Sequence, residues 1–389
     1  MSPAPPRRAG LGRPAGLYRR AGVAGPAVVA RLVGVLAGLA AVLATATPAA
    51  AHGGESPDGT DYRAEVTGVA PDRPGLTARV VEGGARLELV NRTGRPIEVI
   101  GYTGEPYLRV GPDGVYENSR SPATYLNRTL AGDTALPAQA DPAADPDWRR
   151  VGDGPTARWH DRRARWQESA PPAVVRADPT REQRVRDWVV PLRDGAEPVE
   201  IRGTLDWVPP PDAYPWWVAA TLGFLLVGSA GLLAAGTPLG ARALAGAGAA
   251  LAAGGVAAIV FTVGRELDAG AMGVGGVLLG LLGGQIWALL TGLGALAAGG
   301  YALARRPAAD FALALAGACL ALFAGVTNVA VLARSVPPLP WPGGLARTLL
   351  VVILGTGAGA TAAGLLRLRA AAHPGSPRPA PGVTEAVRG

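Results

Sequence analysis

The sequence predicts a two-part chain: an all-β extracytoplasmic domain of Ig-like sandwich type, then an all-α bundle of five transmembrane helices. Three observations carry this expectation. Short runs of alternating apolar and polar residues, separated by Gly, Asn and Pro turns, fill the stretch from Leu76 to Val110, as in a β-sandwich. Beyond Trp216, hydrophobic runs of about 20 residues dominate, the length a helix needs to cross a bilayer. Hydrophobic content is 49% but aromatic content only 5%, with 56 glycines, which suits Ala/Gly/Leu-rich membrane helices better than one large soluble core.

The elements follow in order. Residues 1–51 carry six Arg and no acid. The apolar core Leu32–Ala44 and the small-residue site Ala49-Ala50-Ala51 complete the pattern of a cleaved signal peptide, with an uncleaved anchor as the alternative. Arg19-Arg20 lacks the apolar pair of a twin-arginine signal, so the leader reads as Sec-type. Cleavage after Ala51 makes His52 the first mature residue.

Residues 52–207 form the expected β-domain. LTARVV (76–81) and ARLELV (85–90) flank the turn Glu82-Gly83-Gly84 as a hairpin, with Leu87 and Leu89 on one face and Arg86 and Glu88 on the other. IEVI (97–100), YLRV (107–110), Val115-Tyr116 and VEIRGTLDW (199–207) are further strands. Residues 131–157, rich in Ala, Asp, Pro and Gly, read as a long loop. Asn91-Arg92-Thr93 and Asn127-Arg128-Thr129 match a glycosylation sequon but are more simply turn residues. Residues 208–215 are a Pro-rich neck that ends against the interfacial pair Trp216-Trp217.

Spans are expected near 216–236, 244–264, 271–303, 308–333 and 346–366, a bundle of 216–366. The third run is long and Gly-interrupted: either one tilted crossing or a re-entrant piece followed by a crossing. Arg242, Arg305-Arg306, Arg367 and Arg369 fall on one face. The positive-inside rule therefore predicts a multi-pass cell-membrane protein with residues 52–215 extracytoplasmic and a disordered cytoplasmic tail, 367–389.

Charge and composition narrow the function. The net charge is +7, and every basic residue is Arg, a bias that with the Ala, Gly and Pro load suggests a GC-rich, actinobacterial genome. Residues 52–215 hold 26 acids against 21 Arg, a net −5. The soluble domain is thus acidic, and nucleic acid is not an expected partner. Cys319 stands alone, so neither an internal disulfide nor a Cys metal cluster is available. The spans carry few ionisable groups; Gln285, Thr327 and Asn328 are their main polar residues, which favours an anchoring or partner-binding bundle over a coupled transporter. No serine sits in a nucleophile-elbow context and His160 is the only internal base, so no enzyme is expected.

The stretch Arg158–Glu168, RWHDRRARWQE, carries the remaining chemistry. A mature N-terminal His52 can chelate Cu(II) through its α-amino and imidazole nitrogens, a ligation copper prefers. His160 and Asp161 are the candidates to complete a metal site, with copper as the cofactor. Against this stands a structural His160. Arg158, Arg162, Arg163 and Arg165 could instead bind an anion, stack on Trp159 and Trp166, or pair with Asp147, Asp153 and Glu168.

The run GYTGEPYLRVGPDGVYENSRSPATYLN (101–127), then RWHDRRARW, then GTLDW (203–207) resembles a group of actinobacterial envelope proteins with a signal peptide, a β-sandwich ectodomain and a C-terminal transmembrane bundle. The resemblance covers most of 52–217 and implies an association with copper handling. Its pattern, W-H-D-H-R-x-H-W-M, is kept here at Trp159, His160, Asp161, Arg163 and Trp166. Arg162, Arg165 and Gln167 stand where two histidines and a methionine would be. The leading expectation is an anchored envelope protein whose outer domain binds a ligand or an envelope protein partner, as an accessory in copper handling. A structural or signalling scaffold is the alternative, and a small-solute transporter the third. The bilayer is a partner in each.

Overall fold

The computed structural model describes residues 57–372. The expected signal peptide (1–51), His52 and the tail beyond residue 372 lie outside the described residues. Residues 62–207 form antiparallel β-sheets, and everything beyond is helical.

One sheet has seven strands: β1 (Tyr62–Ala70), β10 (Glu197–Trp207), β9 (Gln183–Asp194), β4 (Ile97–Ile100), β5 (Pro106–Gly111), β6 (Gly114–Asn118) and β7 (Trp148–Gly152), in that spatial order. The other has three: β2 (Leu76–Val81), β3 (Arg86–Asn91) and β8 (Thr156–Trp159). The alternating apolar residues bury between them, with Leu87, Leu89, Ile97, Val99, Val190, Leu192 and Ile201 in one core. This is the period-2 pattern cashed in against a facing sheet. Strand β7 lies inside the stretch expected to be loop. Its residues WRRVG are largely exposed, so an edge strand with no apolar alternation left no signal to read. Both sequon asparagines are buried. The Asn91 amide donates to the carbonyls of Arg95 and Val110, each at 2.7 Å, so they act as turn and strand residues.

Among the described residues, five helical segments are long and apolar enough to cross a membrane. They are α1 (Tyr214–Gly228, continued to Leu232), α2 (Pro238–Asp268), α4 (Ile286–Leu303), α5 (Ala309–Cys319, continued as π and 3₁₀ turns to Leu332) and α6 (Gly343–Ala372). The long third run is broken. Helix α3 (Gly273–Gly283) is separated from α4 by Gly284-Gln285. Its 11 residues extend about 16 Å, roughly half the hydrocarbon thickness. The run is thus two helices parted by a break, not one continuous helix.

Small residues set the helix contacts. A Cβ on Gly255 (α2) would meet the Gly292 carbonyl oxygen (α4) at 2.6 Å, and one on Gly317 (α5) would meet that of Gly357 (α6) at 2.6 Å. Backbones this close need glycine, the expected small-xxx-small packing. At one end of the bundle Arg367, 7% exposed, donates from Nε to Asp310 Oδ1 at 2.7 Å.

The other end carries the β-domain. Thr60 and Val336 exchange two backbone hydrogen bonds, 3.0 and 2.8 Å. Asp61 accepts from the Arg334 guanidinium and from the Ser335 N–H, at 2.5 and 3.0 Å. Ser335 Oγ in turn donates to Val208 O, 2.7 Å. The start of α1, the ends of α2 and α5 and the start of α6 therefore gather at the sandwich by connectivity.

Candidate functional site

The segment after β8 is built around Asp161. Its carboxylate is almost fully buried and caps the single 3₁₀ turn Arg162–Ala164. Oδ1 accepts from Arg163 N (3.0 Å) and Nε (2.9 Å); Oδ2 accepts from Arg163 Nη2 (2.8 Å) and Trp159 Nε1 (2.9 Å). Arg163 also lies over the Tyr102 ring, 5.0 Å from its centroid. Burial opposes the Arg163 charge, but the Asp161 hydrogen bonds and charge outweigh it and raise its pKa. The Tyr102 phenol is pushed up to about 12, first by burial and then by the Asp161 charge.

His160 is 4% exposed. Its Nδ1 lies 2.8 Å from Ala85 O, and Arg86 Nε donates to Nε2 at 3.3 Å. This fixes the tautomer with the proton on Nδ1. Burial, countered by the Ala85 bond and reinforced by Arg86 and Arg165, lowers its pKa to about 4. The ring is neutral near pH 7. His160 and Asp161 are thus adjacent and each is engaged within the domain, while His52 lies outside the described residues. Among the described residues no three His, Cys, Asp or Glu side chains gather as a metal site.

Arg163 pairs with its neighbour Asp161, whereas Arg158 reaches an acid far away in sequence. Arg158 Nε donates to Glu88 at 2.6 Å, and Arg79 Nε to the same carboxylate at 2.6 Å. Glu88 is only 3% exposed. It faces away from the sandwich core, as its strand register requires, yet the loop between α2 and α3 covers it. Arg158 Nη2 donates to Gly270 O in that loop, 3.0 Å. A Cβ on Gly270 (φ +88°) would sit 2.8–2.9 Å from Arg158, Glu88 and Arg79. Beside it, Gly83 N donates to Asp268 Oδ2 at 2.7 Å. Glu82, Gly83 and Gly84 are successive left-handed residues (φ 56, 61 and 99°), a turn two glycines make accessible. Sequence reasoning missed Glu88, Asp268 and Asp61, because an acid in an alternating strand or at a helix end looks solvated.

Downstream, Arg165 and Trp166 line a cavity of about 130 Å³ with Tyr62, Ala64, Leu205 and the Gly83–Ala85 turn. Tyr62 stacks on Trp166 (6.2 Å, 21°), and Arg186 covers the indole at 6.0 Å. The Trp166 N–H donates to Ala170 O at 2.9 Å. One turn, 82–85, thus borders the cavity, holds His160 and grips the bundle.

Asn328 and Gln285, two of the main polar residues of the expected spans, lie apart in role. Asn328 Oδ1 accepts from Arg265 at 2.7 Å, whereas Gln285 precedes α4 at the helix break. No protein-family model, curated protein or solved structure matches this chain.

Proposed function

We propose that this chain is a membrane-anchored envelope protein whose β-domain is an extracytoplasmic binding module, and that occupancy of the module is felt by the bundle. The carrying observation is one short path. Arg165 and Trp166 line the cavity, and Arg158, on the same segment, holds the Gly270 loop at the root of α3. The 82–85 turn repeats the link through Gly83 and Asp268. A ligand or partner group entering the cavity touches residues that share backbone with both grips. The outward orientation is supported by the exposed Arg242, Arg305 and Arg306 at the helix ends remote from the sandwich. Copper handling is the narrower form of this proposal and draws on His52.

Hydrogen exchange on the full chain in lipid nanodiscs tests the link. Trp166→Ala should speed amide exchange across 269–285 as well as around the cavity. Faster exchange confined to the β-domain would overturn the coupling and favour a passive scaffold.

A further inference from the structure

We propose that the bundle holds one phospholipid by its phosphate at the N-terminus of α6, where the buried guanidinium of Arg347 meets free backbone amides. The starting observation is a buried charge with no counter-ion. Arg347, in the second turn of α6, is only 9% exposed. Its Nη2 donates to Arg334 O at 2.7 Å. Its buried Nε–H has no acceptor, and it makes no ion pair among the described residues. Asp61, beside Arg334, is already engaged by that guanidinium and by Ser335. At the opposite end of the bundle, buried Arg367 does have its acid, Asp310. An uncompensated buried charge is costly, and in a membrane bundle it marks a binding site before it marks packing.

The helix brings its own donors to the same place. Pro342 precedes α6, and Gly343-Gly344 open it. The first amides to find an acceptor are those of Leu345 and Ala346, both on Pro342 O. The N–H groups of Gly343 and Gly344 have none among the described residues, as a helix start leaves them. Helix side chains lean toward the N-terminus. Arg347 does so until Nη1 and Nη2 each lie 3.1 Å from where a Cβ on Gly343 would stand. Glycine thus leaves that space to the guanidinium. Gly344 is exposed, with open space in place of its own Cβ. Two free amides, the positive end of the helix dipole and a guanidinium fork therefore converge beside open space. Phosphate has the several oxygens that such a set can satisfy at once.

Depth selects the lipid as the source of that phosphate. Helices α1 and α6 run side by side in one register. A Cβ on Gly355 would lie 3.2 Å from Gly223 Cα, one on Gly359 2.6 Å from Val227 Cβ, and one on Gly231 2.7 Å from Ala363 Cα. Followed back about two turns, this register sets Trp216 level with Thr348. Arg347 then lies at the depth of Trp216-Trp217, the headgroup level that interfacial tryptophans occupy. Leu345 and Trp217 are each nearly half exposed, an apolar surface for the acyl chains below.

Native mass spectrometry of the full chain in dodecylmaltoside micelles tests the site, with short-chain phosphatidylglycerol, the matching diacylglycerol and inorganic phosphate as probes. Phosphatidylglycerol should bind as one copy per chain, and diacylglycerol at least about tenfold more weakly, the scale of a charge-assisted contact. Equimolar inorganic phosphate should not displace the lipid. Arg347→Gln should weaken phosphatidylglycerol about tenfold and leave diacylglycerol unchanged. Gly343→Ala, whose methyl group takes the guanidinium's place, should weaken it in the same direction. Alanine favours the helix, so this variant decides alone if Arg347→Gln is not monodisperse on gel filtration. Equal binding of the two lipids, or phosphatidylglycerol binding indifferent to the folded variants, overturns the proposal. Displacement by equimolar inorganic phosphate would make the free anion the ligand and overturn the lipid assignment.

Discussion

His160→Gln should flatten the acid side of the β-domain's stability profile. In the fold the imidazole is held neutral, its pKa lowered to about 4 by burial and by Arg86 and Arg165. In the unfolded chain it returns to an ordinary value near 6.5. A lowered histidine pKa means the unfolded state binds the extra proton first. The contribution of the neutral ring is thus fully present above pH 6.5. It is lost as pH falls toward 4, where stability drops with each proton the unfolded chain takes up. The gap between 6.5 and about 4 corresponds to about 3 kcal/mol at most, or roughly 6–12 °C in the melting temperature of a domain this size. Gln cannot titrate, so the wild-type minus variant difference should shrink by that amount between pH 7 and pH 4. His52 and His373 are present in both proteins and cancel. Melts followed by near-UV circular dichroism, which reports the buried Trp159 and Trp188, give the comparison. Parallel curves from pH 7 to 4, or an NMR titration of His160 at 6.5 or above, would refute the reasoning.

Three further outcomes follow from named contacts. Asp310→Asn removes the carboxylate beside buried Arg367 and should cost about 3 kcal/mol, the scale of an uncompensated buried charge, read as a lower unfolding midpoint in detergent. In a Cys319→Ser background, an impermeant maleimide on intact cells should label Ala143→Cys but not Arg306→Cys; the reverse pattern would invert the proposed topology. Cu(II) titration of the full mature chain should give the same affinity for wild type and His160→Ala, since both ring nitrogens already have partners; a large loss would return His160 to the ligand set.

Much of the fold was legible because its signals are local. Period-2 alternation marked β2 to β5 and β10, and hydrophobic length marked the regions of the five helices long enough to cross a membrane. Strands β1, β7, β8 and β9 were not read. β7 and β8 are short, and β9 mixes Arg and Asp with apolar residues, so their strand character depends on the neighbours they pair with. In the candidate site, the unusual composition of RWHDRRARW drew attention to a segment whose side chains prove to be buried or engaged within the domain. Its internal order did not give the pairing, because Arg158 reaches Glu88, 70 residues away, instead of Asp153.

The sequence by itself determined the two-part division, the apolar spans and the inward face of each recognised strand, since these depend only on residue type and spacing along one element. The tertiary structure decided what the outward faces meet. Glu88 points away from the sandwich core on any reading of its strand, and only the loop at Gly270 makes that outer position buried. The cavity likewise depends on β1, the 82–85 turn and Trp166 arriving together. Such meetings are set by packing between distant segments, and no periodicity within a segment encodes them.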